Sequence, residues 1–137
     1  QLFLGQKDYQ QCMVIKKLVS LKNYKLELKI VPTVRENNGL ALSSRNTRLS
    51  AADKQIAVRI SQGLFIIQKQ IKPGKLDSLK LKIKKDLEEN GLTIDYVEIA
   101  DTLTLAPLEL WDGKTSIVAL IAAWVSDVRL IDSLVLS

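Results

Sequence analysis

The chain has 137 residues, of which 47% are apolar and 26% charged, with a net charge of +5. That suffices for one ordinary globular domain or for pieces of two, and it excludes a disordered chain. A single cysteine, Cys12, excludes an internal disulfide and suits a reducing compartment, and the lack of any histidine argues against a zinc site. The longest apolar run, Ile117 to Val125, is too short to cross a bilayer as a helix. The opening residues lack the basic stretch and apolar core of a secretion signal. We therefore expect a soluble, cytoplasmic protein that is not bound to a membrane. Its first residues read as a strand without an initiator Met, so we expect a piece of a larger fold.

Charge is unevenly placed. Residues 1–50 hold nine basic side chains against three acidic ones, and residues 92–137 hold two against seven. The basic excess is either ordinary solubility charge or attraction for a phosphate ligand or nucleic acid.

In chain order, Leu2 to Leu4 form a short apolar run ended by Gly5, which predicts a buried strand. Asp8 stands at an N-cap position with Gln11 three residues on, close to a capping box. Cys12, Ile15, Leu18 and Val19 then follow at helical spacing, which makes Cys12 a core residue. Leu26, Leu28 and Ile30 alternate with polar residues, the period of a strand. Strand, helix and strand predict a βαβ unit with a parallel pair.

Pro32 ends that strand, and residues 33–49 predict a long polar loop without periodicity, a kind of loop that is usually functional or disordered. Ser50 with Asp53 opens the next helix, striped by Ile56, Ile60, Leu64, Ile67 and Ile71 and stopped at Pro73-Gly74. Leu76, Leu79, Ile83 and Leu87 stripe another, which ends at Asn90-Gly91; its lysines, Lys80 among them, read as a solvated face. Strands are predicted over 92–99, 115–125 and 128–136, with a turn at Ser126-Asp127. The fold class is thus α/β followed by α+β: a βαβ piece, then a small domain of helices on a three-stranded antiparallel sheet. The boundary falls near residues 33–38.

Two polar knots interrupt these elements. In GLALSSRN, residues 39–46, Gly39 permits a turn where a side chain would clash, and Ser43, Ser44 and Arg45 offer hydroxyl and guanidinium donors suited to an anion. GQKD, residues 5–8, lies between a strand and a helix start, where amide groups and the helix dipole favour an anion and Lys7 adds a charge. Taken alone, GQKD reads as a plain capped turn, with Asp8 as N-cap and Lys7 solvated.

Together, FLGQKDYQQ at 3–11, VPTVRENNGLALSSRN at 31–46 and VALIAAWVSDVRLIDS at 118–133 resemble the C-terminal half of the pantothenate synthetase (pantoate–β-alanine ligase) family over essentially the whole chain. The resemblance implies the end of a Rossmann-like nucleotidyltransferase domain, residues 1–33, then a C-terminal lid domain, residues 34–137. It implies an ATP-dependent ligase that makes a pantoyl adenylate, releases pyrophosphate, and passes the acyl group to β-alanine, giving pantothenate and AMP. ATP with Mg2+ is a substrate, with no tightly bound cofactor.

By position in the motifs, Gly5, Gln6, Lys7 and Asp8 match the ATP-binding GEKD segment, Asp8 near the ribose and Lys7 near the phosphates. Gln11 matches a pantoate-binding glutamine, and Val34 a residue whose backbone meets adenine. Leu42, Ser43, Ser44 and Arg45 match the mobile loop that closes on the triphosphate. Lys7, Ser43, Ser44 and Arg45 are the implied catalytic groups. Gln6 stands where Glu is common, which removes a charge but spares the backbone contacts. The family's HxGH-type motif and its other pantoate-binding residues precede this stretch, so the chain alone is expected to be inactive. The full-length protein is expected to be a homodimer. The remaining alternatives are a basic nucleic-acid-binding module and a non-catalytic interaction domain.

Overall fold

The computed structural model describes residues 1–136; Ser137, the last residue of the expected second domain, lies outside the described residues. Strands β1 (Leu2–Gly5) and β2 (Leu28–Val31) pair in parallel, with Leu2 opposite Leu28 and Gly5 opposite Val31. A turn of 3-10 helix at Gln6–Asp8 leads into helix α1 (Tyr9–Leu21), completing the expected βαβ unit. Its details depart from expectation. Asp8 makes no side-chain cap bond; its carboxylate lies 3.7 Å from Lys7 Nζ instead, so no capping box forms. The buried stripe of α1 is Tyr9, Cys12 and Met13, while Leu18 is 48% exposed. Leu26 falls before β2 rather than in it.

Helix α2 (Ala51–Gln70) begins as expected, with Ser50 Oγ accepting from the Asp53 amide at 3.0 Å. It buries Ala57, Ile60, Leu64 and Ile67. Helix α3 (Asp77–Glu89) buries Ile83 and Leu87. One of its lysines is no solvated group. Lys80 Nζ sits 3.0 Å from Glu98 and 3.4 Å from Asp77. Burial draws its pKa down, but the two carboxylates outweigh that and hold it above the usual lysine value. Between the helices, β3 (Gly74–Lys75) pairs antiparallel with β5 (Leu110–Trp111), a two-residue ladder with no periodic signature.

The main sheet is antiparallel, in the order β4 (Thr93–Asp101), β6 (Ile117–Val125), β7 (Val128–Val135). Side chains of β6 alternate between two cores. Ile117, Ala119, Ile121, Ala123 and Val125 cluster with α2 and α3, whereas Val118 and Leu120 cluster with Tyr9, Cys12 and Met13 of α1. The sheet is therefore covered on both faces, which explains why β6 is one continuous apolar run. On β4 a bulge between Ile94 and Tyr96 shifts the register, so Ile94 joins Val97 and Ile99 on the α2 side while Tyr96 and Ala100 take the α1 side.

Candidate functional site

The segment between β2 and α2 is more ordered than a featureless loop. Arg35 bridges Ala41 in antiparallel fashion, the Leu42 amide donates to the Val34 carbonyl at 2.9 Å, and a tight turn runs from Glu36 to Gly39. Gly39 has φ +95°, and a Cβ there would come within 3.1 Å of Ser61 Oγ on α2. Backbone conformation and close approach both require the glycine. The chain then enters a 3-10 helix, Ser44–Arg48, capped by Ser43 Oγ accepting from the Arg45 amide at 3.2 Å.

This segment forms one wall of a cavity of about 380 Å³. Leu42, Ser43, Ser44 and Arg45 line it on one side, Lys7 and Asp8 on another, and Leu130 to Asp132 of β7 close it. Leu40, Ala57 and Ile60 contribute apolar lining. Lys7 has a side chain only 18% exposed. Arg45 reaches across to donate from Nη1 to the Arg129 carbonyl at 2.9 Å. The two polar knots, remote in sequence, thus meet at the carboxyl end of β1, where open parallel sheets take ligands. The lining sets apolar side chains beside two cations, Lys7 and Arg45, the hydroxyls of Ser43 and Ser44, and the carboxylates of Asp8 and Asp132, a mixture that can take a ligand with both an apolar and a charged part.

The other expected site residues lie outside this lining. Gly5 ends β1 and its carbonyl accepts from Cys12 Sγ at 3.4 Å; a Cβ on it would meet nothing within 4 Å. Burial pushes the Cys12 thiol up, with the Asp8 charge adding to the effect, so it stays a protonated core residue. The Gln6 carbonyl accepts from Ser133 Oγ at 2.7 Å. Val34 is exposed, with its carbonyl accepting from the Leu42 amide. Gln11 is exposed on α1, and its side chain does not reach the cavity in this conformation.

Four residues missed by sequence reasoning organise the walls. Arg35 makes a two-pronged ion pair with Asp132, Nη2 to Oδ1 at 3.1 Å, donates to the Gly39 carbonyl at 3.2 Å, and lies 5.5 Å over the Phe65 ring. Asp132 is 4% exposed, and Ser133 is also buried. A signal existed: an acid within the apolar strand LIDSLV calls for a buried partner. Asn46 is buried in the lining and donates from Nδ2 to the Ala41 carbonyl at 3.0 Å, tying the 3-10 turn to the segment before it. Among the described residues its Oδ1 and Thr33 Oγ1 are the buried side-chain atoms without a hydrogen-bond partner.

Fold and cavity together bring the turn after β1 and the segment before α2 onto one cavity walled by β7. The chain belongs to the pantoate-beta-alanine ligase family, whose model matches residues 1–135. The pantothenate synthetase of Thermosipho melanesiensis is 41% identical over 135 residues, covering 97% of this chain and 48% of that protein. That of Magnetococcus marinus is 44% identical over 137 residues, covering 98% and 46%. Among solved structures, pantothenate synthetase from Thermus thermophilus matches with a TM-score of 0.79 at 31% identity, over 96% of this chain and 48% of that one. The Francisella tularensis pantoate-beta-alanine ligase, complexed with beta-gamma ATP and beta-alanine, matches with a TM-score of 0.65 at 32% identity, over 98% and 42%. The chain spans about half the length of the curated relatives it matches and corresponds to their C-terminal portion.

Proposed function

We propose that this chain supplies the C-terminal half of the active site of an ATP-dependent ligase joining pantoate to β-alanine. In the first step a pantoate carboxylate oxygen attacks the α-phosphorus of ATP. The bond to the β-phosphate breaks, and pyrophosphate leaves with its electron pair. In the second, the β-alanine nitrogen attacks the acyl carbon, AMP departs, and the nitrogen loses a proton, giving pantothenate.

Negative charge gathers on the α-phosphate and the departing pyrophosphate in the first step. Lys7 and Arg45 oppose that charge, with Ser43 and Ser44 as neutral donors, so their contacts strengthen towards the transition state. Gly5 and Gln6 present backbone to the nucleotide, Asp8 faces the ribose, the backbone of Val34 meets the adenine, and Leu42 belongs to the loop that closes on the triphosphate. Gln11 holds pantoate once the rest of the catalytic domain is in place. The second step needs proximity and orientation, so no protein nucleophile is assigned. Mg2+ arrives as part of the nucleotide substrate, on its phosphates.

In this reading residues 1–33 end a Rossmann-like nucleotidyltransferase domain and residues 34–137 are its lid. The full-length enzyme is cytoplasmic and homodimeric, and the isolated chain does not turn over. The observation that carries the reading is the convergence of Lys7 and Asp8 with Leu42 to Arg45 on one cavity. The alternatives of a nucleic-acid module or a non-catalytic domain gain nothing from the family match.

The test is titration of Mg-ATP into the chain, followed by backbone amide shifts. We expect shifts clustered at residues 5–8 and 42–45. Lys7→Ala and Arg45→Ala should each weaken binding by about 10- to 100-fold, the loss of a charge-assisted hydrogen bond of roughly 1.5–3 kcal/mol. Unchanged shifts at millimolar nucleotide would remove the ligand assignment. AMP formation by the purified chain from pantoate, β-alanine and ATP would overturn its expected inactivity.

A further inference from the structure

The two walls of the cavity come from distant parts of the chain, and neither is fixed by its own hydrogen bonds alone. The Gln6–Asp8 turn has no side-chain cap. The 33–46 segment leaves two buried polar atoms unpartnered. What the walls share is β7. Successive side chains on a strand point to opposite faces, and β7 passes between the two cores: Val128 and Leu130 cluster with α2, and Val135 packs on the α1 cluster. Asp132 accordingly points to the α2 side, where it meets Arg35. Ser133 points to the α1 side, where its hydroxyl donates to the Gln6 carbonyl at 2.7 Å. The pair is itself joined, because Asp132 Oδ1 also accepts from the Ser133 amide at 2.8 Å. An unbroken polar chain therefore runs from Gly39 through Arg35, Asp132 and Ser133 to the turn that carries Lys7.

We propose that Asp132 and Ser133, neighbours on β7, are positioning residues that hold the two walls of the cavity in register, one through Arg35 and the other through the Gln6 carbonyl. A phosphate ligand spanning Lys7 and Arg45 is sensitive to that register, since misplacing one cation relative to the other weakens both contacts at once. The docking of α1 itself does not depend on the pair, because Tyr9, Cys12 and Met13 seat it on the sheet. Only the ligand arm of this inference rests on the nucleotide reading above.

The experiment compares Ser133→Ala and Asp132→Asn with the unaltered chain by backbone 15N relaxation. Each variant should loosen its own wall. Amide order parameters at residues 6–8 should fall from about 0.85 to below about 0.6 in S133A, and those at 39–45 should fall likewise in D132N, each leaving the other wall unchanged. Mg-ATP affinity should fall about tenfold in both. If D132N fails to fold, Arg35→Lys, which keeps the charge but loses the two-pronged geometry, takes its place with the same expectation. Unchanged order parameters at both walls would overturn the proposal, whatever the nucleotide does. Loosened walls without nucleotide binding by the unaltered chain would keep the proposal and remove the ligand reading instead. A lowered melting temperature without wall-specific loosening would reduce both residues to a purely structural role and overturn it too.

Discussion

Gly63 tests how tightly the core is closed. It lies inside α2, where alanine would ordinarily favour the helix by about 0.8–1.0 kcal/mol. A Cβ there would sit 3.3 Å from Ile83 Cγ2, 3.4 Å from Ile121 Cδ1 and 3.6 Å from Leu87 Cδ1. Carbon contacts are most favourable at about 3.5–4.0 Å. All three neighbours are at most 1% exposed, so none has open space to move into. Overpacking of a closed core costs about 1–3 kcal/mol. Offset by the helical gain, Gly63→Ala should destabilise the chain by about 1 kcal/mol, read from urea unfolding followed by circular dichroism. Ile121→Val removes the Cδ1 at 3.4 Å, leaves the tighter Ile83 Cγ2 contact at 3.3 Å in place, and alone costs about 0.5–1.5 kcal/mol. In the double variant part of the crowding is relieved, so the combined cost should fall short of the sum by about 0.5 kcal/mol. A Gly63→Ala chain more stable than the parent, with additive costs in the double variant, would refute the claim that α2 is held close to α3 and β6 through this glycine.

Three further outcomes are expected. Asp112 accepts from the amides of Thr115 and Lys114 and from the Thr115 hydroxyl, which holds its carboxyl at about 2, below the ordinary 3.8. Because the folded value is the lower one, this turn is fully supported above about pH 4 and loses support as pH falls towards 2. The indole N–H of Trp111, bonded to the Thr115 carbonyl at 2.9 Å, should report a transition near 2; a midpoint near 4 would contradict the turn geometry. Ser50→Ala removes the cap of α2 and should cost about 1 kcal/mol, lowering the melting temperature by roughly 3–5 °C in calorimetry. Cys12, buried and with its thiol pushed up, should resist iodoacetamide in the folded chain and react once urea unfolds it; prompt labelling of the native state would place it elsewhere.

Elements governed by local rules were readable in the sequence. The Ser50–Asp53 start of α2, the stripe from Ile60 to Ile67 and the Ser126-Asp127 turn each follow from neighbouring residues. What local rules did not reveal depends on remote partners. The β3–β5 ladder has too few residues to show a period, and it forms only when Gly74 meets Trp111. The Ile94/Tyr96 bulge breaks the alternation it would be read from. Asp8 resembled a cap, but Lys7 lies beside its carboxylate. At the cavity, Lys7 and Ser43 to Arg45 were singled out by two motifs read together, and the structure brings them onto one lining. Arg35, Asp132 and Ser133 were not, because their roles appear only when residues 97 and 127 positions apart are brought together.

That separation has a consequence for how the molecule is made. At a synthesis rate of about 5–20 residues per second, roughly 6–25 s pass between the emergence of Gln6 and that of Ser133. Over that interval the Gln6–Asp8 turn and the serine–arginine loop can both exist, yet the strand that fixes their spacing has not been made. On the nucleotide reading, an assembled cavity waits for β7 rather than for Lys7 and Arg45, and a ribosome stalled before the codon for Asp132 would hold both cations without the strand that joins their walls.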